Sequence, residues 1–143
     1  MRRLILALAM AVVILVPLPS AASGHCPEIT GMAYLDEGFS TNSIGVARVV
    51  LDGERVRANF QKNQEVEIDP TTSELTMTWF FPTGYVKVVE HRTTTPTGGP
   101  YGRFASTIEV VEGGEGSWEW SGTVNFVLHI YQIRDLSGDL CID

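Results

Sequence analysis

A two-residue rhythm runs through most of this chain and restricts what it can become. Leu75, Met77, Trp79 and Phe81 alternate with Glu74, Thr76 and Thr78, the period of a strand with one buried face. Val56, Ala58 and Phe60 alternate with Arg55, Arg57, Asn59 and Gln61 in the same way. Val46–Leu51 runs into Asp52-Gly53 ahead of Glu54, and Asp-Gly between two apolar runs is a strong hairpin signal. Pro82-Thr83-Gly84 joins Glu74–Phe81 to the valine-rich run Tyr85–His91. Thr93–Gly102 holds two prolines and three glycines among threonines, a composition that predicts a long loop.

A further strand is expected from Phe104 to Glu112, ending at Gly113-Gly114-Glu115-Gly116. Ser117–Trp120 and Gly122–Ile133 follow, and Ser137-Gly138 turns the chain into a last short strand with Cys141. Helical stripes are absent. About seven or eight strands joined by tight turns predict an all-β domain, a single small antiparallel β-barrel in meander order, with a β-sandwich as the alternative. A barrel would also remove the exposed edges of such a sheet.

The N-terminus reads as an export signal. Arg2 and Arg3 precede the apolar run Leu4–Val16; Pro17 and Pro19 then break any helix, and small residues from Ser20 to Gly24 offer a cleavage site. The apolar run is shorter than the roughly 20 residues of a spanning helix. Residues 1–23 are therefore expected to be a signal peptide and 24–143 a secreted or periplasmic domain, with no membrane association after cleavage. His25 stands directly before Cys26, where a lipoprotein would need a small residue. The chain has only two cysteines, Cys26 and Cys141. In an exported chain they are expected to form one disulfide that clasps the ends of the domain.

Without Arg2 and Arg3, eight basic residues face 17 acidic ones, a balance of −9. That charge repels phosphate backbones, so nucleic acid is not an expected partner. His25, His91 and His129 are far apart in sequence and carry no metal-ligand spacing; no metal or other cofactor is expected. No G-x-S-x-G elbow is present, and a disulfide would occupy both thiols. Scattered acids such as Glu90, Glu109, Glu112 and Glu119 define no catalytic pair by spacing.

Aromatic residues are the more informative group. Trp118 and Trp120 are two apart and share a strand face, and His129 alternates with Val127 and Tyr131 within the expected Gly122–Ile133 strand. Trp79, Trp118, Trp120, His129 and Tyr131 are the candidate ligand-binding set, lining a lumen or an outer patch. Packing of these aromatics into a filled core is the competing reading.

The run from Thr107 to Trp118, with Gly113-Gly114-Glu115-Gly116 at its centre and Ser121-Gly122-Thr123 after it, resembles a pattern of exported bacterial proteins of unknown function. There it reads approximately T-I-x-G-G-T-G-R-[FY], then S-G-T. Glu115 stands in place of the usual threonine, and Ser117-Trp118 in place of arginine and an aromatic. The Asp52-Gly53 turn and the late Gly138-Asp139-Leu140-Cys141 extend the likeness. The layout is similar, more broadly, to the allene oxide cyclase barrel and the dirigent-like calycins. That resemblance implies an eight-stranded antiparallel barrel. On physical grounds the glycine run is a structural turn, since acids flank it and no helix or lysine follows to hold a phosphate. The expected role is a non-catalytic binding or interaction module, a monomer that meets a small apolar ligand or a protein partner. The alternative implied by the resemblance is a barrel-cyclase-like enzyme acting on a small apolar substrate.

Overall fold

The computed structural model describes residues 25–37 and 43–143; the expected signal segment, 1–23, lies outside them. Eight strands follow one another in chain order: β1 (Glu28–Asp36), β2 (Ile44–Leu51), β3 (Glu54–Asp69), β4 (Thr72–Phe81), β5 (Gly84–Gly98), β6 (Tyr101–Glu112), β7 (Gly114–Asn125) and β8 (Ile130–Ile142). Each pairs antiparallel with the next, and β8 pairs with β1, so the sheet closes into a barrel. Closure gives every strand two neighbours, which is how an all-β domain of this size avoids an open edge.

Local chemistry sets the hairpins. Asp52 and Gly53 both take positive φ, 52° and 75°, the requirement of the tight turn whose twist matches the flanking strands. Thr93–Gly102 is not a loop. Its threonines extend β5, Thr94 pairing with Phe104 and Thr95 with Arg103 of β6; β-branched residues suit a pleated surface. Only Gly99-Pro100 separates the two strands. The expected single strand Gly122–Ile133 is instead broken at Phe126–His129. There the Asn125 side chain accepts hydrogen bonds from the backbone N–H groups of Val127 and Leu128, each at 3.0 Å, a side-chain-capped turn.

The alternation seen in the sequence becomes an inside and an outside. Inward residues include Ala58 and Phe60 on β3, Leu75, Met77, Trp79 and Phe81 on β4, Val86 and Val88 on β5, and Trp118 and Trp120 on β7, all buried. Gly45 on β2 faces Phe60 across the β2–β3 pair. A Cβ at Gly45 would lie 2.0 Å from the Phe60 ring, so the absent side chain is the space the ring occupies.

Cys26 and Cys141 form the disulfide, with Cα atoms 4.9 Å apart, inside the usual range. Glu28 pairs with Asp139 across β1–β8, and the bridge continues that register two residues further. The backbone N–H of Leu140 donates to the carbonyl of Pro27 at 2.9 Å on the same seam. The covalent link thus ties the closing seam of the barrel, 115 residues apart in sequence. Replacing both cysteines with serine should lower the unfolding free energy by about 4 to 5 kcal/mol, the chain-entropy value for a loop of about 100 residues. Urea unfolding of C26S/C141S against the oxidised protein measures it.

Candidate functional site: a polar mouth over an aromatic lumen

The barrel interior is layered. At its centre Phe60 stacks on Trp79 with ring centroids 4.5 Å apart. Trp118 and Trp120 lie 5.2 and 5.6 Å from Trp79, and Phe81 lies 6.0 Å away. These rings occupy the lumen, as expected of an eight-stranded barrel whose bore is just wide enough for side chains. The Trp79 and Trp118 indole N–H groups have no hydrogen-bond partner among the described residues, whereas the Trp120 N–H does have one.

That partner is Glu90. β5 carries the inward phase Val86, Val88, Glu90, Arg92, and all four are buried. The sequence therefore continues an apolar stripe with two opposite charges on the same face. Glu90 Oε1 accepts from Trp120 Nε1 at 2.9 Å and from Arg92 Nε at 2.9 Å, while Oε2 accepts from Arg92 Nη2 at 3.2 Å. Two parallel bonds between guanidinium and carboxylate are the strongest geometry this pair has. Arg92 Nη1 donates to Glu37 Oε1 at 3.2 Å. Its guanidinium carbon lies 4.3 Å from the Tyr131 ring centroid and 5.6 Å from that of Phe104, a cation–π contact out of bulk water.

The network continues toward the end of the barrel where β3 finishes and β8 begins. Lys62 Nζ lies 3.4 Å from Glu37 Oε1 and 2.8 Å from Glu65 Oε2. A bulge makes this possible. Lys62 opposes Met77, but Gln64 opposes Thr76 and Glu65 opposes Leu75, so one extra residue moves Glu65 onto the inward face. Lys62 and Arg92 are thus set among three carboxylates: Glu37, Glu65 and Glu90.

The groups respond as their neighbours require. Burial disfavours the charged form of Arg92, but the carboxylates of Glu90 and Glu37 outweigh it and hold the guanidinium protonated above its ordinary range. Burial pushes the Glu65 carboxyl up, yet the hydrogen bond and charge of Lys62, with Arg92 behind, leave it below the ordinary carboxylate value. Glu65 therefore stabilises the fold above that value, and the contribution is lost as pH falls through its depressed pKa. Tyr131 is pushed up to about 12, first by burial and then by the nearby Glu37 charge.

Above this network the mouth opens into a cleft of about 520 Å³. Tyr131 and Phe126 supply aromatic surface, Glu65, Glu67 and Asp69 supply carboxylates, and Ser73, Thr71 and Thr94 supply hydroxyls. Such a set favours a donor-rich, positively charged guest, because ionised carboxylates only accept hydrogen bonds.

The five candidate residues part company here. Trp79, Trp118 and Trp120 come together, but as core, 0 to 2 % exposed. Tyr131 belongs to the mouth, beside Arg92 and Phe104. His129 is exposed in the β7–β8 turn with φ 54°, apart from the other four. His91 points outward to Glu74 at 3.5 Å. Among the described residues no cluster of three or more His, Cys, Asp or Glu side chains could hold a metal ion. The sequence marks out none of Lys62, Glu65 and Arg92, and offers Glu37 and Glu90 only as scattered acids; the phase of Val86 and Val88 is the signal for Glu90 and Arg92.

The fold and its mouth define a small closed meander barrel with a charged plug at one end. Comparison with protein-family models, with curated proteins and with solved structures finds no match.

Two measurements test the plug. Glu90→Gln should cost about 3 to 5 kcal/mol, because it leaves Arg92 buried without its main counter-charge. Replacing the pair together, Glu90→Leu with Arg92→Met, should cost less than that single change, and a double-mutant cycle in urea reads the coupling. For Tyr131, the raised folded-state pKa means its stabilising contribution is whole below the ordinary tyrosine value of 10.0 and fades as pH rises toward about 12. Tyr131→Phe should flatten that alkaline loss by about 2 to 3 kcal/mol, measured as urea midpoints on either side of the interval.

Proposed function

We propose that this protein is an exported, non-catalytic binding module whose ligand engages the mouth of the barrel instead of its lumen. One observation carries the reading: aromatic rings fill the bore, while the concave space lined by carboxylates and hydroxyls lies above the Glu90–Arg92 pair. The ligand chemistry that fits is a small organic cation, its amine or guanidine bonded to Glu65 and Glu67 and its carbon skeleton against Phe126 and Tyr131. Export is supported by the residue 1–23 signal pattern together with the disulfide. A cyclase-like activity would call for an open apolar cavity around a reactive intermediate, and no observation on the interior favours one.

Agmatine, titrated into isotopically labelled protein, tests this. Amide shifts should gather at Glu65, Glu67, Ser73, Thr94 and Phe126, and Glu65→Gln with Glu67→Gln should weaken binding about tenfold. Shifts confined to the amides of Trp79, Trp118 and Trp120 on adding an apolar probe such as hexane, with none at the mouth on adding agmatine, would overturn the proposal.

A further inference from the structure

The outer wall opposite in charge to the rest of the molecule lies across β8, β1, β2 and β3. Arg48, Arg55, Arg57 and Arg134 are all exposed there, four of the eight basic residues outside the signal segment. Lys62, Lys87 and Arg92 each have a carboxylate partner. Among the described residues, no carboxylate lies within ion-pair distance of these four arginines.

Their register is unusual. Arg48 directly opposes Arg57 across β2–β3, and Met32 opposes Arg48 across β1–β2. The β1–β8 bulge between Gly31 and Ala33 sets Arg134 and Asp135 opposite Met32. Arg134 lines one shallow depression with Met32, Tyr34, Arg48 and Arg57, while Asp135 lines a groove on the neighbouring wall. Like charges directly opposed across a strand pair are destabilising, so Arg48–Arg57 works against the fold unless an anion lies between them. Met32 and Tyr34 are 59 % and 42 % exposed, giving the row an apolar centre.

We propose that this wall docks an extended acidic segment of a partner protein. Adjacent strands are about 4.8 Å apart, so Arg134 and Arg48, two strands apart, stand roughly 10 Å from each other across Met32. A segment in the polyproline II conformation, with three residues per turn and a rise of about 3.1 Å each, brings positions i and i+3 to the same face about 9 Å apart. A segment with carboxylates at i and i+3 would place both on guanidinium groups, in the bidentate geometry arginine favours, with an apolar side chain between them on Met32. Long uniform polyanions fit less well. Nucleic acid or an anionic bilayer would reach past the row onto Glu28, Asp36, Asp52 and Glu54, in a chain of net charge −7.

The test uses a short labelled, capped peptide with glutamate at every third position and leucines between, followed by fluorescence anisotropy at low and moderate salt. Binding should weaken with salt and fall about tenfold in Arg48→Glu. Arg103→Glu, on β6 away from the wall, should bind as the parent does. Arg48→Glu turns a repulsive cross-strand pair into an attractive one, so its melting temperature should not drop, which separates lost binding from lost fold. Absence of peptide binding, binding indifferent to Arg48→Glu, tighter association with anionic phospholipid vesicles than with the peptide, or concentration-dependent self-association abolished by Arg48→Glu would each overturn the proposal.

Discussion

Everything in this molecule depends on β8 finding β1. Seven of the eight strand pairings are between sequence neighbours and can form as local hairpins; the eighth must bring together segments separated by nearly the whole domain. Until it forms, the inward faces of β4, β5 and β7 belong to an open sheet, and Trp79, Trp118 and Trp120 have water on one side. Loop closure of that length carries an entropic penalty that only long-range contacts can offset. The disulfide sits on this seam in the same register as the strand pairing, so covalent and hydrogen-bonded closure act at one place.

The interior then divides by chemistry. Stacked and edge-on rings fill the middle, and no charge is needed there. Toward one end the same strand faces carry Glu90, Arg92, Lys62 and Glu65. Burying Glu90 and Arg92 is tolerable because each charge has a geometrically good partner; a buried pair of this kind adds little net stability over an apolar pair of the same volume, while losing one partner alone is costly. Arg92 is its hub, meeting two carboxylates and two aromatic rings at once. The plug separates a closed core from a polar cleft, so the polar groups that solvent reaches at this end lie at the mouth.

The barrel was largely legible in the sequence, and the reasons are specific. Alternation at Leu75–Phe81 and Val56–Phe60, with the Asp52-Gly53 turn, fixes hairpins that need no tertiary information. Thr93–Gly102 misleads because glycine and proline weigh heavily as turn signals, while the β-branched threonines between them pair as strands. Gly122–Ile133 misleads in the opposite sense: Phe126 to His129 contains no glycine or proline, and the break is made by one Asn125 side chain. For the same reason the sequence pattern puts His129 on a strand face, whereas it stands in the turn. The mouth was the least legible part. Glu65 faces inward only because of the bulge between Lys62 and Gln64, and Glu37 reaches Arg92 across a separation of 55 residues; neither fact has a local signature. Aromatic content pointed to the lumen, and the lumen is where packing consumed it.

One stretch of backbone lies outside the protection of closure. The β2–β3 ladder ends at Ile44 and Gln61, with Lys62 donating to the Ser43 carbonyl just beyond, yet β3 continues to Asp69. Among the described residues, nothing pairs with that side of β3 over its last turns of pleat. Val66 and Ile68 are exposed there, an invitation to strand addition by another chain. Glu65, Glu67 and Asp69 stand at every second position of the same segment, and like charges stacked in register would repel an identical incoming strand. The acids that shape the cleft also act as a guard against fibril-like growth. Solubility in acid is therefore tied to the protonation of the residues that give the mouth its charge.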